Sequence, residues 1–126
     1  MIGAINNKSV LEGCGWSFYF HSESKKQFPR IVFSSDLDEK KAWMNIDGLD
    51  VELSLAHSTE PSKEKIGSRS TRTYVAASIR VLAVYVTARM CGPNEKDCES
   101  TDYDATFTVT RGERKRTIKL KGGCGC

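Results

Sequence analysis

The chain has 126 residues, a net charge of +3, and 39% hydrophobic against 28% charged side chains. That is one domain of globular composition: two domains would each sit near the lower limit for a self-sufficient core, and the apolar content is too high for a disordered chain. No run reaches the roughly 20 apolar residues of a membrane-spanning helix. The net charge is too small to mark a nucleic-acid binder, and 10 glycines with 3 prolines exclude collagen-like and proline-rich classes.

Residues 1–13 (MIGAINNKSVLEG) hold no apolar stretch of signal-peptide length and read as a flexible N-terminal segment ahead of a single β-domain over 14–126. Leu11-Glu12-Gly13-Cys14 has the outline of a bacterial lipoprotein cleavage site, which makes a lipid anchor on Cys14 one expectation. The upstream hydrophobic segment that such a site needs is missing, and Glu12 fits it poorly.

From there the dominant period is two, the signature of strands. Residues 16–20 (WSFYF) place Trp16, Phe18 and Phe20 on one face, and 28–34 (FPRIVFS) form a second strand with Pro29 near its start. Ser35-Asp36-Leu37-Asp38 reads as a turn. Residues 42–46 lead into Asp47-Gly48 and then 49–57, where Leu49, Val51, Leu53 and Leu55 alternate with smaller or polar residues. An Asp-Gly pair between two such runs predicts a hairpin, because glycine accepts the positive φ of a type I′ turn. Residues 58–68 are polar and read as a long loop. Strands follow at 70–76 and 78–90, the second apolar on both faces. After an acidic loop, residues 103–110 alternate with Tyr103, Ala105, Phe107 and Val109 inward, and Arg111-Gly112-Glu113 turns the chain into 115–121, with Ile118 and Leu120 inward. The tail is Gly122-Gly123-Cys124-Gly125-Cys126. About eight short strands without an amphipathic helix predict an all-β domain, an antiparallel sandwich or small barrel.

The five cysteines are 14, 91, 98, 124 and 126. A Cys91–Cys98 bridge closes a short loop, for about 2.5 kcal/mol of loop-closure entropy; a bridge from Cys14 to Cys124 or Cys126 clamps the two chain ends, for about 4.7 kcal/mol, if the first and last strands are neighbours. Such bridges imply an oxidising compartment, periplasmic or extracellular. The alternative is a cysteine-based metal or redox protein, with zinc on four of the same five thiols. The spacings C-x₆-C and C-x-C lack the usual C-x-x-C knuckle.

No catalytic set emerges. His21 and His57 end strands, and no nucleophile-elbow, phosphate-loop or dinucleotide pattern occurs. The acidic pairs Asp36/Asp38, Asp47/Asp50 and Asp102/Asp104 sit in or beside turns, where solvated carboxylates are normal. The expectation is a non-enzymatic module that binds a partner. Residues 66–126 carry 11 basic and 6 acidic side chains, concentrated in the last hairpin with Arg114, Arg116 and Lys119. A basic ribbon suits phosphate, an anionic surface or an acidic partner, or else protects an edge strand from aggregation. No aromatic residue interleaves with these charges, so base stacking, and with it nucleic acid, is unsupported. Thr106, Thr108 and Thr110 form a short row on the polar face of their strand.

Gly67-Ser68-Arg69, then Tyr74, then a long strand running into Cys91, resembles the small periplasmic or lipid-anchored inhibitors of c-type lysozyme. The resemblance covers about 30 residues. It implies an eight-stranded antiparallel β-domain with a disulfide near the C-terminus, and contact residues at Ser68 and Tyr74. Here the Ser-Gly order of those inhibitors is reversed and the tyrosine lies later in the chain.

Overall fold

The computed structural model describes residues 2–11, 13–91 and 101–125. Among the described residues nine strands run in chain order: β1 (Ile2–Gly3), β2 (Gly15–Phe20), β3 (Ile31–Asp36), β4 (Lys41–Ile46), β5 (Leu49–Thr59), β6 (Arg69–Ala76), β7 (Ile79–Arg89), β8 (Thr101–Arg111) and β9 (Arg114–Gly125). From β2 onward each strand pairs antiparallel with the next, and β9 returns to β2, with Gly15 opposite Gly125 and Phe20 opposite Leu120. The result is a closed up-and-down barrel of eight strands, to which β1 adds on the free part of β4. Closure leaves the barrel strands with no open edge. Of the two predicted architectures the chain adopts the barrel.

The alternation read from the sequence builds the inner wall. On β8, Tyr103, Ala105, Phe107 and Val109 point in; on β7, Ile79, Val81, Ala83, Tyr85 and Thr87 do the same. Large residues face small ones across the ladder: Tyr85 is opposite Ala105, Phe107 opposite Ala83, and Tyr103 opposite Gly122. This size alternation lets a narrow barrel fill without strain. The core is completed by Trp16, Phe18, Phe33, Met44, Leu53 and Leu120. Burying each large side chain of this kind stabilises by about 1.5–3 kcal/mol.

The two ends of the barrel differ. One end has tight connections. Asp47 (φ 54°) and Gly48 (φ 87°) make the predicted type I′ turn, Gly112 (φ 61°) opens the turn into β9, and Ala77 (φ 47°) takes a left-handed conformation between β6 and β7. The longer 21–30 connection leaves and re-enters at this same end. The opposite, loop end carries the β3–β4 turn, the 60–68 loop, the start of β2, the end of β7 and the end of β9.

Several boundaries differ from those read in the sequence. Phe28 and Pro29 lie outside the strand, which begins at Ile31. The preceding residues are instead tied by Arg30, whose backbone N–H and guanidinium both donate to Glu23. Ser35 and Asp36 belong to β3, and the turn follows them. The glycine tail is strand up to Gly125. A Cβ on Gly122 would collide with the Ser17 carbonyl oxygen, and one on Gly123 with that of Thr101. Those glycines serve close strand approach at the seam that shuts the barrel. The segment ahead of Cys14, read as flexible, makes defined contacts: Ile2 pairs with Ile46, Ile5 is 7% exposed, and the Asn6 and Asn7 N–H groups donate to the Asp50 carboxylate. Burial would raise the Asp50 pKa, but these N–H groups and the Asn45 amide outweigh it and hold the group below the ordinary range.

Candidate functional site

The barrel interior is packed with rings. Trp16 stacks between Tyr85 (5.5 Å) and Tyr103 (5.1 Å), Tyr85 stacks on Phe18 (5.0 Å), and Phe33 meets Phe107 edge-on at 4.9 Å. At the loop end this stack is capped by a buried arginine. Arg72 lies on the inward face of β6 between Ser70 and Tyr74, and is 3% exposed. All five of its N–H donors are used. Nε donates to Glu39 Oε1 (2.9 Å); Nη2 donates to Glu39 Oε2 (3.1 Å) and Glu60 Oε1 (2.8 Å); Nη1 donates to the carbonyls of Thr59 (3.2 Å) and Thr71 (3.0 Å). The guanidinium also sits over the rings of Tyr85 (5.6 Å) and Trp16 (5.8 Å).

The turn between β3 and β4 delivers Glu39 to this point. The Glu39 N–H closes the turn on the Asp36 carbonyl at 3.0 Å, and Glu39 takes a left-handed φ of 61°. Burial pushes the Glu39 pKa up, against the pull of Arg72. Burial alone would lower the Arg72 pKa, but the Glu39 carboxylate more than offsets it, so the guanidinium stays charged.

The 60–68 loop lies over the same mouth. Glu64 accepts from the Tyr103 hydroxyl (2.9 Å) and from Thr87 Oγ1 (3.2 Å). A small cavity of about 200 Å³ remains between Trp16, Glu60, Pro61, Glu64, Ser70 and Arg72. Beneath it the buried Trp16 Nε1 and the hydroxyls of Tyr74 and Tyr85 have no hydrogen-bond partner among the described residues.

The larger concavity is on the outside. A groove of about 650 Å³ runs along the outer wall of β2, β9 and β8. Its floor is nearly bare backbone at Gly15, Gly123 and Gly125; Tyr19, Phe28, Pro29 and Ile31 form its apolar side, and Asp102, Asp104 and Lys121 its charged side. Phe28, 83% exposed, overhangs it from the 21–30 connection. Lys121 Nζ lies 3.6 Å from Asp104 Oδ1.

The residues singled out in the sequence are scattered over these regions. Tyr74 is fully buried inside the barrel, out of reach of any partner on the surface. Ser68 closes the 60–68 loop: its Oγ accepts from the Lys65 N–H (3.0 Å) and its carbonyl from the Thr87 N–H (3.0 Å). The last hairpin does not present one ribbon. Arg116 is opposite the inward Val109, so Arg114 and Arg116 rim the tight end of the barrel, while Lys119, opposite Thr106, is on the outer wall. Arg114 lies 3.8 Å from Asp47, which also binds Arg111 at 2.8 Å. His21 and His57 are both exposed. Thr106, Thr108 and Thr110 face outward. Of the acidic pairs, Asp102 and Asp104 share the outer groove, whereas Asp47 and Asp50 are held by separate partners.

Cys14 immediately precedes β2, Cys91 follows β7, and Cys124 is near the end of β9, so all three sit at the loop end. The strands next to Cys14 and Cys124 are neighbours, as an end-to-end clamp requires, with Trp16 opposite Cys124. Cys124 is a free thiol whose pKa burial pushes up. Cys14 and Cys91 each make a further contact and are not without a partner. Cys98 and Cys126, and with them the proposed Cys91–Cys98 loop, lie outside the described residues. Among the described residues no group of three or more metal-ligating side chains comes together.

The Arg72–Glu39–Glu60 network carries no motif. The one signal for it was the alternation of 70–76, which puts an arginine in phase with Tyr74. Comparison with protein-family models, curated proteins and solved structures finds no match.

Proposed function

We propose that this chain is a non-enzymatic, exported binding module, braced by disulfides, that meets its partner on the outer surface of the barrel. The observation that carries this reading is the filled interior. Stacked rings occupy the space where other eight-stranded barrels hold a ligand, and Arg72 has no donor left to offer one. Recognition is then left to the outer wall, where the groove beneath Phe28 offers about 650 Å³ with an apolar side and a few charged groups for orientation.

The bracing is assigned from register. Gly15 faces Gly125 across the seam, and the cysteines that flank this pair in sequence are Cys14 and Cys126. We assign them to one bridge and Cys91 to Cys98, with Cys124 left over. That Cys14 and Cys91 are not without a partner while Cys124 is free supports this pairing. The rival metal or redox reading needs a thiolate, and burial moves Cys124 away from that form.

The first probe is c-type lysozyme, because of the sequence resemblance. Absence of inhibition at micromolar protein removes that special case, for which only Ser68 remains an accessible candidate. For any partner identified, amide shift mapping tests the wider reading. Perturbations gathered on Ser17, Tyr19, Phe28 and Lys121–Gly125 support it. Perturbations centred on the ring stack around Trp16 and Arg72 contradict it.

A further inference from the structure

We propose that the tight-turn end of the barrel docks on the surface of an anionic lipid bilayer, a second contact independent of the outer groove. The modest net charge of +3 hides a polar molecule. Lys25, Lys26 and Arg30 lie in the 21–30 connection, Arg80 opens β7, and Arg111, Arg114, Lys115 and Arg116 flank the β8–β9 turn; strand order brings all of them to one end. Glu113, in the β8–β9 turn, is exposed and has no ion pair among the described residues, but the three other acids there are spent. Glu23 is 4% exposed and bound by Arg30 at 2.7 Å, Asp47 is taken by Arg111 at 2.8 Å, and Asp50 is occupied by backbone N–H groups of the N-terminal segment. Lys25, Arg80, Lys115 and Arg116 have no ion pair among the described residues, and all four are exposed. At the loop end, by contrast, Asp36, Asp38, Glu60, Asp102 and Asp104 offset the lysines and arginines around them.

An apolar tip accompanies the charge: Leu49, next to the Asp47-Gly48 turn, is 71% exposed. Basic groups reaching a headgroup layer each strengthen attachment severalfold, and apolar side chains that enter the acyl boundary add to it. Nucleic acid is the less favoured polyanion, since no aromatic side chain stands among the basic residues of the hairpin to stack a base.

The test is cosedimentation of the full chain with vesicles of phosphatidylcholine alone and of phosphatidylcholine mixed with phosphatidylglycerol. The expected result is binding to the mixed vesicles only, fading as salt rises. Arg114→Glu with Arg116→Glu should weaken it about tenfold or more, and Leu49→Ser severalfold. Lys63→Glu with Lys65→Glu, exposed changes at the opposite end, should leave it unchanged, with circular dichroism confirming that each variant is folded. No binding to the mixed vesicles, equal binding to both kinds, equal loss in the Lys63/Lys65 variant, or binding to duplex DNA but not to vesicles would each overturn the proposal.

Discussion

Arg72 and Glu39 meet as a two-point pair, Nε to Oε1 at 2.9 Å and Nη2 to Oε2 at 3.1 Å, with side-chain exposures of only 3% and 10%. Breaking a buried pair from one side leaves the other charge stranded, whereas replacing both by apolar groups often restores what was lost. Arg72→Met should therefore cost about 3–5 kcal/mol, and Arg72→Met with Glu39→Leu should recover most of it. Urea unfolding of the three proteins checks this. A single variant as stable as the parent would show that the pair does not hold the loop end shut.

Tyr85 is fully buried, and its hydroxyl has no partner among the described residues. Burial, the largest cause, raises its pKa well above the ordinary value. An unpartnered buried hydroxyl is a cost, so Tyr85→Phe should raise stability by about 1 kcal/mol, with the ring stack intact. A loss of similar size in thermal unfolding would show that the hydroxyl is bonded after all.

Glu23 governs the acid side of the stability curve. The Arg30 guanidinium and N–H hold its pKa at about 2, down from 4.5. A carboxylate depressed in the folded state contributes stability above its unfolded pKa and loses it as pH falls. The parent should weaken between pH about 4.5 and about 2, and Glu23→Gln should show a flatter profile over that window while being less stable at neutral pH. Denaturation midpoints measured against pH decide this; identical slopes in the two proteins would contradict it.

Ala77 holds a left-handed φ of 47° in the two-residue link between β6 and β7, where an L side chain is strained by about 1–2 kcal/mol. Ala77→Gly relieves the strain but loosens the unfolded chain, for a net gain of about 0.5 kcal/mol. A lower melting temperature in the glycine variant would argue against the strained turn.

Alternation made the strands legible, because an inward face of large rings and an outward face of small or charged groups is a local property. Asp47-Gly48 announced its turn for the same reason. Closure was not legible: it depends on Gly122 and Gly123 letting β9 approach β2 and β8, and a glycine tail reads as a loop when its neighbours in space are unknown. The site was less legible still. Glu39 and Arg72 are 33 residues apart, and only the barrel brings their charges together. Tyr74 was a contact candidate only through the resemblance to the lysozyme inhibitors, and its register places it inside. The basic residues of the last hairpin looked like one stripe until the pleat divided them between a rim and a wall.

Thiol accounting tests the central claim, that the cysteines serve as cross-links of a filled barrel and not as a chemical centre. Protein recovered from an oxidising compartment is unfolded in denaturant, alkylated without reductant, and then mapped by peptide mass. The account predicts a single label, on Cys124, with Cys14 linked to Cys126 and Cys91 linked to Cys98. Labels on all five cysteines, or Cys124 recovered in a bridge, would contradict it.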